Sequence, residues 1–412
     1  MRVGIEAINA YCGAAAVDVR MLFKARGLSL ERFDNLMMEK KSVGLPCEDT
    51  VTNAVNAAKP IIDRLSEIER NRIELLIAAT ESGIDFGKAV TTYIHDLLGL
   101  KRNCRVFEVK QACYAGTAAL QMAGSIIASK VSPGAKAMVI ATDCARADAK
   151  HTYAEPSQGT GAVAMLIGDN PHILEVDLGA SGYCSYEVMD TCRPHPHKEF
   201  GDPDLSLLSY LDCLEYSYHD YESKVEGVDF NTTFDYLIFH TPFAGLVKGA
   251  HRKMCRRYGT NGTGTGAVEN DFKRRVAPSL MYCTKVGNLY SASLYLSLCG
   301  LIDHAELNTF NRVGLFSYGS GCSSEFFSGI LTINSKELLQ MMNIKNNIAK
   351  RFELDMQQYD ALVDLNRAWM FGIENKDLDL QPISHIYEHF FEGRGLLVLK
   401  GVRQYHREYC WS

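Results

Sequence analysis

Short apolar runs alternate with helical patterns along this chain, and the alternation restricts its fold more than any other feature. Residues 73–80 form one such run, and residues 137–141 and 162–167 form two more. A strand that is apolar throughout is buried on both faces of a sheet, which requires helices on both sides. Residues 51–68 carry their apolar side chains at helical spacing instead. The pattern therefore predicts an α/β protein with a largely parallel sheet.

The second half of the chain repeats this order of elements. Residues 236–239 read as a strand, and residues 313–316 and 326–333 read as the closing strands. With 412 residues, the chain is longer than a single hydrophobic core normally extends. We therefore expect two similar halves, residues 1–170 and residues 171–412, the second of them with insertions.

The composition limits the partners that the chain can have. Its formal net charge of −6 gives no support to nucleic-acid binding. No apolar run approaches the roughly 18 residues of a membrane span, and residues 1–6 read as a strand rather than a signal peptide. The 13 cysteines are irregularly spaced without a C-x-x-C pair, so neither a disulfide framework nor a metal site is expected. We expect a cytoplasmic protein.

Five candidate catalytic residues stand where predicted strands end or where the following helix begins. In open α/β sheets, ligands and chemistry collect at the carboxyl ends of the strands. The five residues are Glu81, Cys113, His240, Asn288 and Ser320. We therefore expect these side chains to share one pocket.

Cys113 is the candidate nucleophile. It stands at a strand-to-helix turn, at the start of a predicted long helix whose first residues are small. A helix N-terminus carries about half an elementary positive charge, which favours the thiolate and is expected to lower the pKa of this thiol. The alternative, which holds for most cysteines, is a thiol buried for packing alone.

Glu81 and His240 suit acid–base chemistry. Glu81 follows a buried strand that offers it no partner, so it can act as a general acid or base, or else cap the next helix. His240 ends an apolar strand, where it can donate to a substrate carbonyl oxygen or be a satisfied core histidine.

Asn288 and Ser320 are candidate hydrogen-bond donors. Asn288 precedes a predicted helix over residues 289–299, so its amide can face a substrate or simply cap that helix. Ser320 lies in the glycine-containing loop of residues 317–321, which is suited to presenting backbone N–H groups to a thioester oxygen.

A basic helix face is predicted after Pro242. Lys248, Arg252 and Arg256 recur every four positions in an otherwise acidic protein. This face is either solvated or a dock for the phosphate of coenzyme A or phosphopantetheine, or for an acidic carrier protein.

Seven motifs, taken in order, resemble the 3-hydroxy-3-methylglutaryl-CoA synthase family of the thiolase superfamily. Each motif alone is unspecific, whereas the ordered set covers nearly the whole chain and is highly specific. They are the turn at Glu81, the helix start at Cys113, residues 155–164, 193–194, 239–243, 287–290 and 317–321.

The resemblance implies a five-layered αβαβα fold, usually a homodimer, and a mechanism. Cys113 would accept an acetyl group from a thioester, and Glu81 would remove a methyl proton so that the enolate attacks a β-keto carbon. His240 and Asn288 would hold the alkoxide, and backbone N–H groups of Cys113 and Ser320 would hold the acetyl oxygen. Water would then release the product. Coenzyme A or phosphopantetheine would carry the substrates, with no other cofactor and no metal.

Residues 190–194 and 204–212 are similar to the polyketide branch of this family, whose members install β-branches on chains held by acyl carrier proteins. An acetyl-donor carrier protein and an acceptor polyketide carrier protein are the implied partners. One alternative is the same chemistry on free acetyl-CoA and acetoacetyl-CoA in the mevalonate pathway. A decarboxylating ketoacyl synthase is disfavoured because Glu81 would repel the departing carboxyl group, and a scaffold without activity would leave Cys113 unacetylated.

Overall fold

The computed structural model describes residues 2–145, 147–195, 198–259, 264–367, 369 and 371–412. Within these ranges, no helix combines the length and the apolar character needed to cross a membrane.

The described ranges form strands and helices that alternate along much of the chain. The strands are β1 (Gly4–Tyr11), β2 (Ala15–Asp18), β3 (Lys40–Val43), β4 (Ile73–Ala79), β5 (Arg105–Val109), β6 (Lys136–Asp143), β7 (Gly161–Gly168), β8 (Leu174–Ser185), β9 (Thr191–His195), β10 (Lys198–Gly201), β11 (Tyr236–Phe239), β12 (Phe310–Gly319), β13 (Ser323–Thr332), β14 (Phe352–Leu354), β15 (Lys376–Asp377), β16 (Leu397–Arg403) and β17 (His406–Trp411). The helices are α1 (Val19–Ala25), α2 (Leu30–Leu36), α3 (Thr50–Ile62), α4 (Glu67–Asn71), α5 (Thr91–Leu97), α6 (Ala115–Ala128), α7 (Pro203–Lys224), α8 (Ala244–Tyr258), α9 (Thr265–Arg275), α10 (Ala277–Leu280), α11 (Cys283–Val286), α12 (Ser293–His304), α13 (Ser335–Gln340), α14 (Ile344–Ala349), α15 (Met356–Arg367) and α16 (Ser384–Phe390).

The main sheet is mixed rather than largely parallel, so that part of the sequence prediction is wrong. Its strand order in the described part of the chain is β11-β12-β13-β8-β1-β7-β6-β4-β5. The β4–β5, β4–β6 and β11–β12 pairs are parallel, whereas the pairs in the middle of the sheet are antiparallel. Parallel neighbours need a crossover helix, but β12 turns directly into β13, and the described residues between β6 and β7 contain no α-helix.

Helices pack on both outer faces of this sheet and also between its two halves. On one outer face, α3 packs against β1, β6 and β7. On the other, α7 packs against β8 and β13, with α8 in the same apolar cluster. Between them, α6 and α12 share a core with strands of both halves. These layers confirm the five-layered, thiolase-like arrangement of two similar halves.

The predicted division at residue 170 falls in the turn between β7 and β8 and stays a prediction. The C-terminal part of the chain returns to the first half, because β14 pairs with β2 and Leu397 packs into the cluster that contains α3. Residues 171–412 are therefore not confined to the second half of the layered structure.

Two predicted helix bounds are wrong for local reasons. The helix predicted over residues 51–68 ends at Ile62, because Ser66 and Glu69 form a capping box that starts α4 separately. The helix predicted from residue 289 begins only at Ser293, whose hydroxyl accepts from the backbone N–H of Leu289 and donates to Asn288. This bonding holds residues 288–292 in a turn that faces the first half of the chain.

Small residues at the start of α6 let the two halves pack closely, as the sequence predicts. A Cβ atom on Gly116 would lie 3.0 Å from the carbonyl oxygen of Ser291 and 3.1 Å from the ring of Tyr295. The helix that follows Cys113 is therefore fixed against the turn that follows Asn288.

Candidate active site

One cavity of about 990 Å³ is lined by all five residues that the sequence singles out. Glu81 and Cys113 belong to the first half, whereas His240, Asn288 and Ser320 belong to the second. The five residues that were expected to share one pocket therefore line the same cavity, although the sheet is mixed.

Cys113 lies on a tight turn that the second half of the chain touches. Ala112, the residue before it, has a φ of +43°, a left-handed conformation that costs energy for a residue with a side chain. A Cβ atom on Gly319 would lie 2.6 Å from both the carbonyl oxygen of Gln111 and the backbone nitrogen of Tyr114. Only glycine permits this approach of the β12–β13 turn to the cysteine.

The sulfur of Cys113 lies 4.0 Å from Oε2 of Glu81. Burial raises the pKa of the Cys113 thiol well above its ordinary value, the carboxylates of Glu81 and Asp143 raise it further, and Arg193 opposes them. The expected lowering of this pKa is therefore wrong, because burial and two nearby negative charges outweigh the partial charge of a helix end. Cys113 is a thiol, not a thiolate, in this site at neutral pH.

Glu81 is held by Arg193 rather than capping a helix. Nη2 of Arg193 donates to Oε1 of Glu81 at 2.7 Å, and Nη1 donates to the Glu81 carbonyl oxygen at 2.7 Å. The same Nη2 also reaches Glu199 at 3.0 Å. The next helix, α5, begins only at Thr91, which excludes the capping alternative. Arg193 thus leaves Oε2 of Glu81 on the side of Cys113.

Asp143 fixes the turn that carries Glu81. Its Oδ1 accepts hydrogen bonds from the Thr80 hydroxyl, from the backbone N–H groups of Glu81 and Ser82, and from the Ser82 hydroxyl, all at 2.9–3.0 Å. Its Oδ2 is buried with no hydrogen-bond partner among the described residues. Burial raises the pKa of Asp143 well above its ordinary value, and the charge of Glu81 adds to the shift. A second carboxyl group therefore lies directly behind the proposed base.

His240 is buried and neutral. Burial lowers its pKa to about 3, and only 2% of the residue is exposed. Its backbone is fixed, because the carbonyl oxygen accepts from the Tyr210 hydroxyl at 2.7 Å and the N–H donates to Phe316 at 2.7 Å. Its Nδ1 has no hydrogen-bond partner in the part of the chain that the structure describes. An imidazole with an unused ring nitrogen in a cavity differs from the satisfied core histidine of the alternative.

Asn288 and Ser320 complete the wall of the second half. Oδ1 of Asn288 accepts from the Tyr290 backbone N–H and from the Ser293 hydroxyl, each at 2.9 Å, so its amide NH₂ is the group left to donate to a ligand. Asp190 holds the Ser320 turn by accepting from the backbone N–H of Gly321 at 2.9 Å and from the hydroxyl of the nearby Tyr318 at 2.7 Å. Both donors are therefore held by neighbouring groups.

The structure does not bring the basic helix face to the cavity. Lys248, Arg252 and Arg256 lie on α8, and the cavity is lined by Phe243 and Leu246 at the start of this helix instead. Lys248 pairs with Glu269 of α9 at 2.9 Å, whereas Arg252 and Arg256 are exposed. Phosphate binding by all three residues together is thus not supported, and a docking role for the two arginines stays a prediction.

One group of potential metal ligands lies outside the cavity, and the sequence gives no sign of it. Nε2 of His251 is 2.8 Å from Oδ2 of Asp271 and 3.4 Å from the sulfur of Cys255. Arg275 also pairs with the same carboxylate oxygen at 3.3 Å. The imidazole and the guanidinium already satisfy this carboxylate, so a cation is not required there.

Arg193 and Asp143 are the site residues that sequence reasoning missed. Arg193 lies in the motif at residues 193–194, and Asp143 ends a predicted strand, but neither pattern indicates a contact with Glu81. The signal that the sequence offers is position: Asp143 follows a predicted strand, and Arg193 belongs to one of the seven ordered motifs.

Comparison with known proteins agrees with this geometry. The family model described as hydroxymethylglutaryl-coenzyme A synthase N terminal matches residues 1–172, and the C-terminal model of the same family matches residues 259–382. The polyketide biosynthesis 3-hydroxy-3-methylglutaryl-ACP synthase PksG of Bacillus subtilis is 51% identical, over 99% of each chain. The hydroxymethylglutaryl-CoA synthase of Enterococcus faecalis is 33% identical, over 88% of this chain and 91% of that protein.

Solved structures give the same result. The HMG synthase of the curacin biosynthetic pathway, in complex with acetyl donor-ACP, matches with a TM-score of 0.97 and 52% identity, covering 100% of both chains. MvaS in complex with 3-hydroxy-3-methylglutaryl coenzyme A matches with a TM-score of 0.86 and 30% identity, covering 100% of this chain and 99% of that one. This chain therefore belongs to the hydroxymethylglutaryl-CoA synthase family, enzymes that join two acyl groups through a new carbon–carbon bond.

Proposed function

We propose that this enzyme condenses an acetyl thioester with a β-ketoacyl thioester on a polyketide acyl carrier protein, and so installs a β-branch. The observation that carries the proposal is the single cavity in which the Cys113 sulfur lies 4.0 Å from the Glu81 carboxylate, with His240 in the same wall. The choice of substrate carrier is supported by sequence identity. It is 51% to the polyketide biosynthesis synthase PksG, 52% to the curacin-pathway HMG synthase solved with acetyl donor-ACP, and 30–33% to two coenzyme A relatives.

The first step is transfer of the acetyl group to Cys113. The sulfur attacks the donor thioester carbonyl, a new S–C bond forms, and the S–C bond to the carrier breaks. Because a thiol is exchanged for a thiol, the proton of Cys113 leaves on the carrier sulfur and no net base is required. The raised pKa of Cys113 is compatible with this exchange, because a carrier thiolate is itself strongly basic. Backbone N–H groups at Cys113 and Ser320 stabilise the carbonyl oxygen during attack.

The second step is the condensation. Oε2 of Glu81 removes a proton from the methyl group of acetyl-Cys113, and the resulting enolate attacks the β-keto carbon of the acceptor. His240, which is neutral, donates a hydrogen bond from its ring to the developing alkoxide, and the NH₂ group of Asn288 donates another. The proton taken by Glu81 neutralises the alkoxide. Water then cleaves the thioester to Cys113, which leaves a free carboxylate on the product.

Arg193 orients Glu81 during both steps and places a positive charge beside its carboxylate. The guanidinium pairs with both Glu81 and Glu199, and its two hydrogen bonds to Glu81 fix the backbone and one carboxylate oxygen of that residue. Without a positive charge, two adjacent carboxyl groups in a buried site would share a proton. The base would then be unavailable.

Phosphopantetheine on the two carrier proteins is the proposed substrate carrier, and the homodimer and cytoplasmic location stay predictions. The mevalonate-type reaction on free acetyl-CoA is the alternative. It is supported less, because its relatives share a smaller fraction of this sequence.

Mass spectrometry of the protein incubated with acetyl carrier protein or with acetyl-CoA tests the proposal. We expect faster acetylation from the carrier protein, no acetylation of Cys113→Ala, and unchanged acetylation of Cys410→Ala, which removes an exposed thiol elsewhere. Acetylated Cys113→Ala would refute the nucleophile, and faster turnover of acetyl-CoA with acetoacetyl-CoA would refute the carrier-protein assignment.

A further inference from the structure

The proposed reaction places a geometric demand on the cavity. The attacked β-keto carbon carries two substituents, one leading to the thioester and its pantetheine arm, the other being the rest of the acyl chain. In acetoacetyl thioesters the second substituent is a methyl group. In a polyketide acceptor it is a long chain, which cannot leave through a path that the pantetheine arm already fills.

The cavity is large enough for both substituents. Its volume of about 990 Å³ lies at the upper end of the roughly 300–1,000 Å³ found for pockets that enclose drug-sized ligands. Residues that come shortly after two of the catalytic residues in the sequence also line the cavity. These are Phe243 and Leu246 after His240, and Ile84 and Phe86 after Glu81.

We infer that the cavity arm beside residues 84–86, walled by Phe86, Trp369 and Phe371, holds the acyl chain of the β-ketoacyl acceptor. This inference rests on the proposed function, because only a carrier-bound polyketide acceptor has such a chain. The class of ligand is an extended, predominantly apolar acyl chain. The part of the cavity wall formed by Phe243 and Leu246 is left for the pantetheine.

Phe86 is the main indication. The residue is 90% exposed although it lines the cavity, and its ring centroid lies 4.8 Å from that of Phe371 at an interplanar angle of 54°. Oδ1 of Asp85 accepts from the backbone N–H groups of Gly87 and Lys88 at 2.6 and 2.7 Å, which forms a turn that carries Phe86 at its tip. An exposed aromatic ring at a cavity rim, packed on a half-buried one, gains free energy when an apolar ligand covers it.

Both walls of this arm are fixed to the catalytic part of the protein. On one side, the backbone carbonyl of Ser82 accepts from the Thr50 hydroxyl at 2.9 Å, just after the Glu81 turn. On the other side, Arg407 donates to the carbonyl oxygen of Trp369 at 2.7 Å and pairs with Asp49 at 2.9 Å. The arm is thus a fixed extension of the reaction centre, and the chain of a bound acceptor would pass the base before it reaches Phe86.

The test compares two acceptors on the same acyl carrier protein, a 3-oxobutanoyl and a 3-oxododecanoyl thioester, with the pre-acetylated enzyme. Phe86→Ala is the variant, and Phe310→Ala is the matched control, an exposed phenylalanine at the start of β12 that does not line the cavity. The measured quantity is kcat/KM for each acceptor.

We expect Phe86→Ala to lower kcat/KM for the long acceptor about tenfold more than for the short one, a size typical of lost apolar contact with part of a substrate. Phe310→Ala should change neither value. An equal change for both acceptors with Phe86→Ala, or no change, would overturn the acyl-chain site while leaving the condensation intact. Failure of the wild-type enzyme to condense either acceptor would instead overturn the proposed function, and the acyl-chain site with it.

Discussion

Replacing Arg193 by methionine tests whether Glu81 needs the charge and the hydrogen bonds of Arg193 to act as the base. The substitution keeps an unbranched side chain of similar length but removes both hydrogen bonds to Glu81, each 2.7 Å long. A hydrogen bond to a charged group contributes about 1.5–3 kcal/mol. If the bond to the carboxylate is needed only while Glu81 acts as a base, its loss raises the barrier by that amount. At about 1.4 kcal/mol for each factor of ten, condensation should slow by about 10- to 150-fold.

The assay separates condensation from acetylation. The variant is first acetylated and isolated, and the single-turnover rate with a carrier-bound β-ketoacyl acceptor is then measured across pH. Because the ionised form of Glu81 loses a neighbouring positive charge, the acid limb of the condensation profile should move to higher pH. Arg193→Lys keeps the charge but not the paired geometry, and it should restore the pH profile more fully than the rate.

A loss of folding must be distinguished from a loss of catalysis, because Glu199 also loses its ion pair with Arg193. Arg26→Met is the matched control, since the Arg26 side chain is 9% exposed and pairs with Glu155 at 2.9 Å outside the cavity. It should lower the melting temperature without slowing condensation by acetylated enzyme. Acetylated Arg193→Met that condenses at the wild-type rate, with an unshifted pH profile, would refute the reasoning.

Two further predictions concern the base and the carrier. Glu81→Gln should still be acetylated on Cys113, but its condensation rate should fall by about 10²–10⁴-fold, the usual contribution of a general base; normal product formation would remove Glu81 from this role. Reversing the charge of Arg252 and Arg256 together should lower kcat/KM for carrier-bound acceptors about tenfold at low salt, with little change for pantetheine thioesters, because exposed charges act mainly on encounter. Lys345→Glu with Lys350→Glu, two exposed lysines in and just after α14, is the control pair, and equal losses for both substrate types would contradict a docking role.

The candidate site could be predicted from the sequence because the strands that lead to its residues have parallel partners, β4 with β5 in the first half and β11 with β12 in the second. Glu81, at the end of β4, and His240, just after β11, are placed by the apolar runs before them, and those runs are clear in the sequence. The direction of the middle strands could not be predicted in the same way. It depends on whether a connection contains a helix that crosses the sheet. The segment between β6 and β7 has the length of such a connection, but no α-helix is found among its described residues.

The basic face of α8 does not line the cavity, and the sequence could not indicate this for a different reason. Helical spacing establishes which side chains share a face, but not what that face meets. Lys248 meets Glu269, which lies on the next helix, and Lys253 meets Glu215 on α7. The charges that looked unbalanced in sequence are partly balanced by neighbouring helices.

The pKa of Cys113 is raised rather than lowered, because burial and nearby carboxylates act on it and no local sequence pattern indicates these contacts. Asp143, at the end of β6, accepts hydrogen bonds from backbone N–H groups of the Glu81 turn. Asp190, just before β9, accepts one from the Ser320 turn. Each is a buried carboxyl group that holds a catalytic turn through backbone N–H groups, one in each half of the chain. Asp143 and Glu81 also place negative charge near the sulfur, which keeps Cys113 a thiol. A thiol is a weaker nucleophile than a thiolate, so the groups that position this site also restrict the reactivity of Cys113.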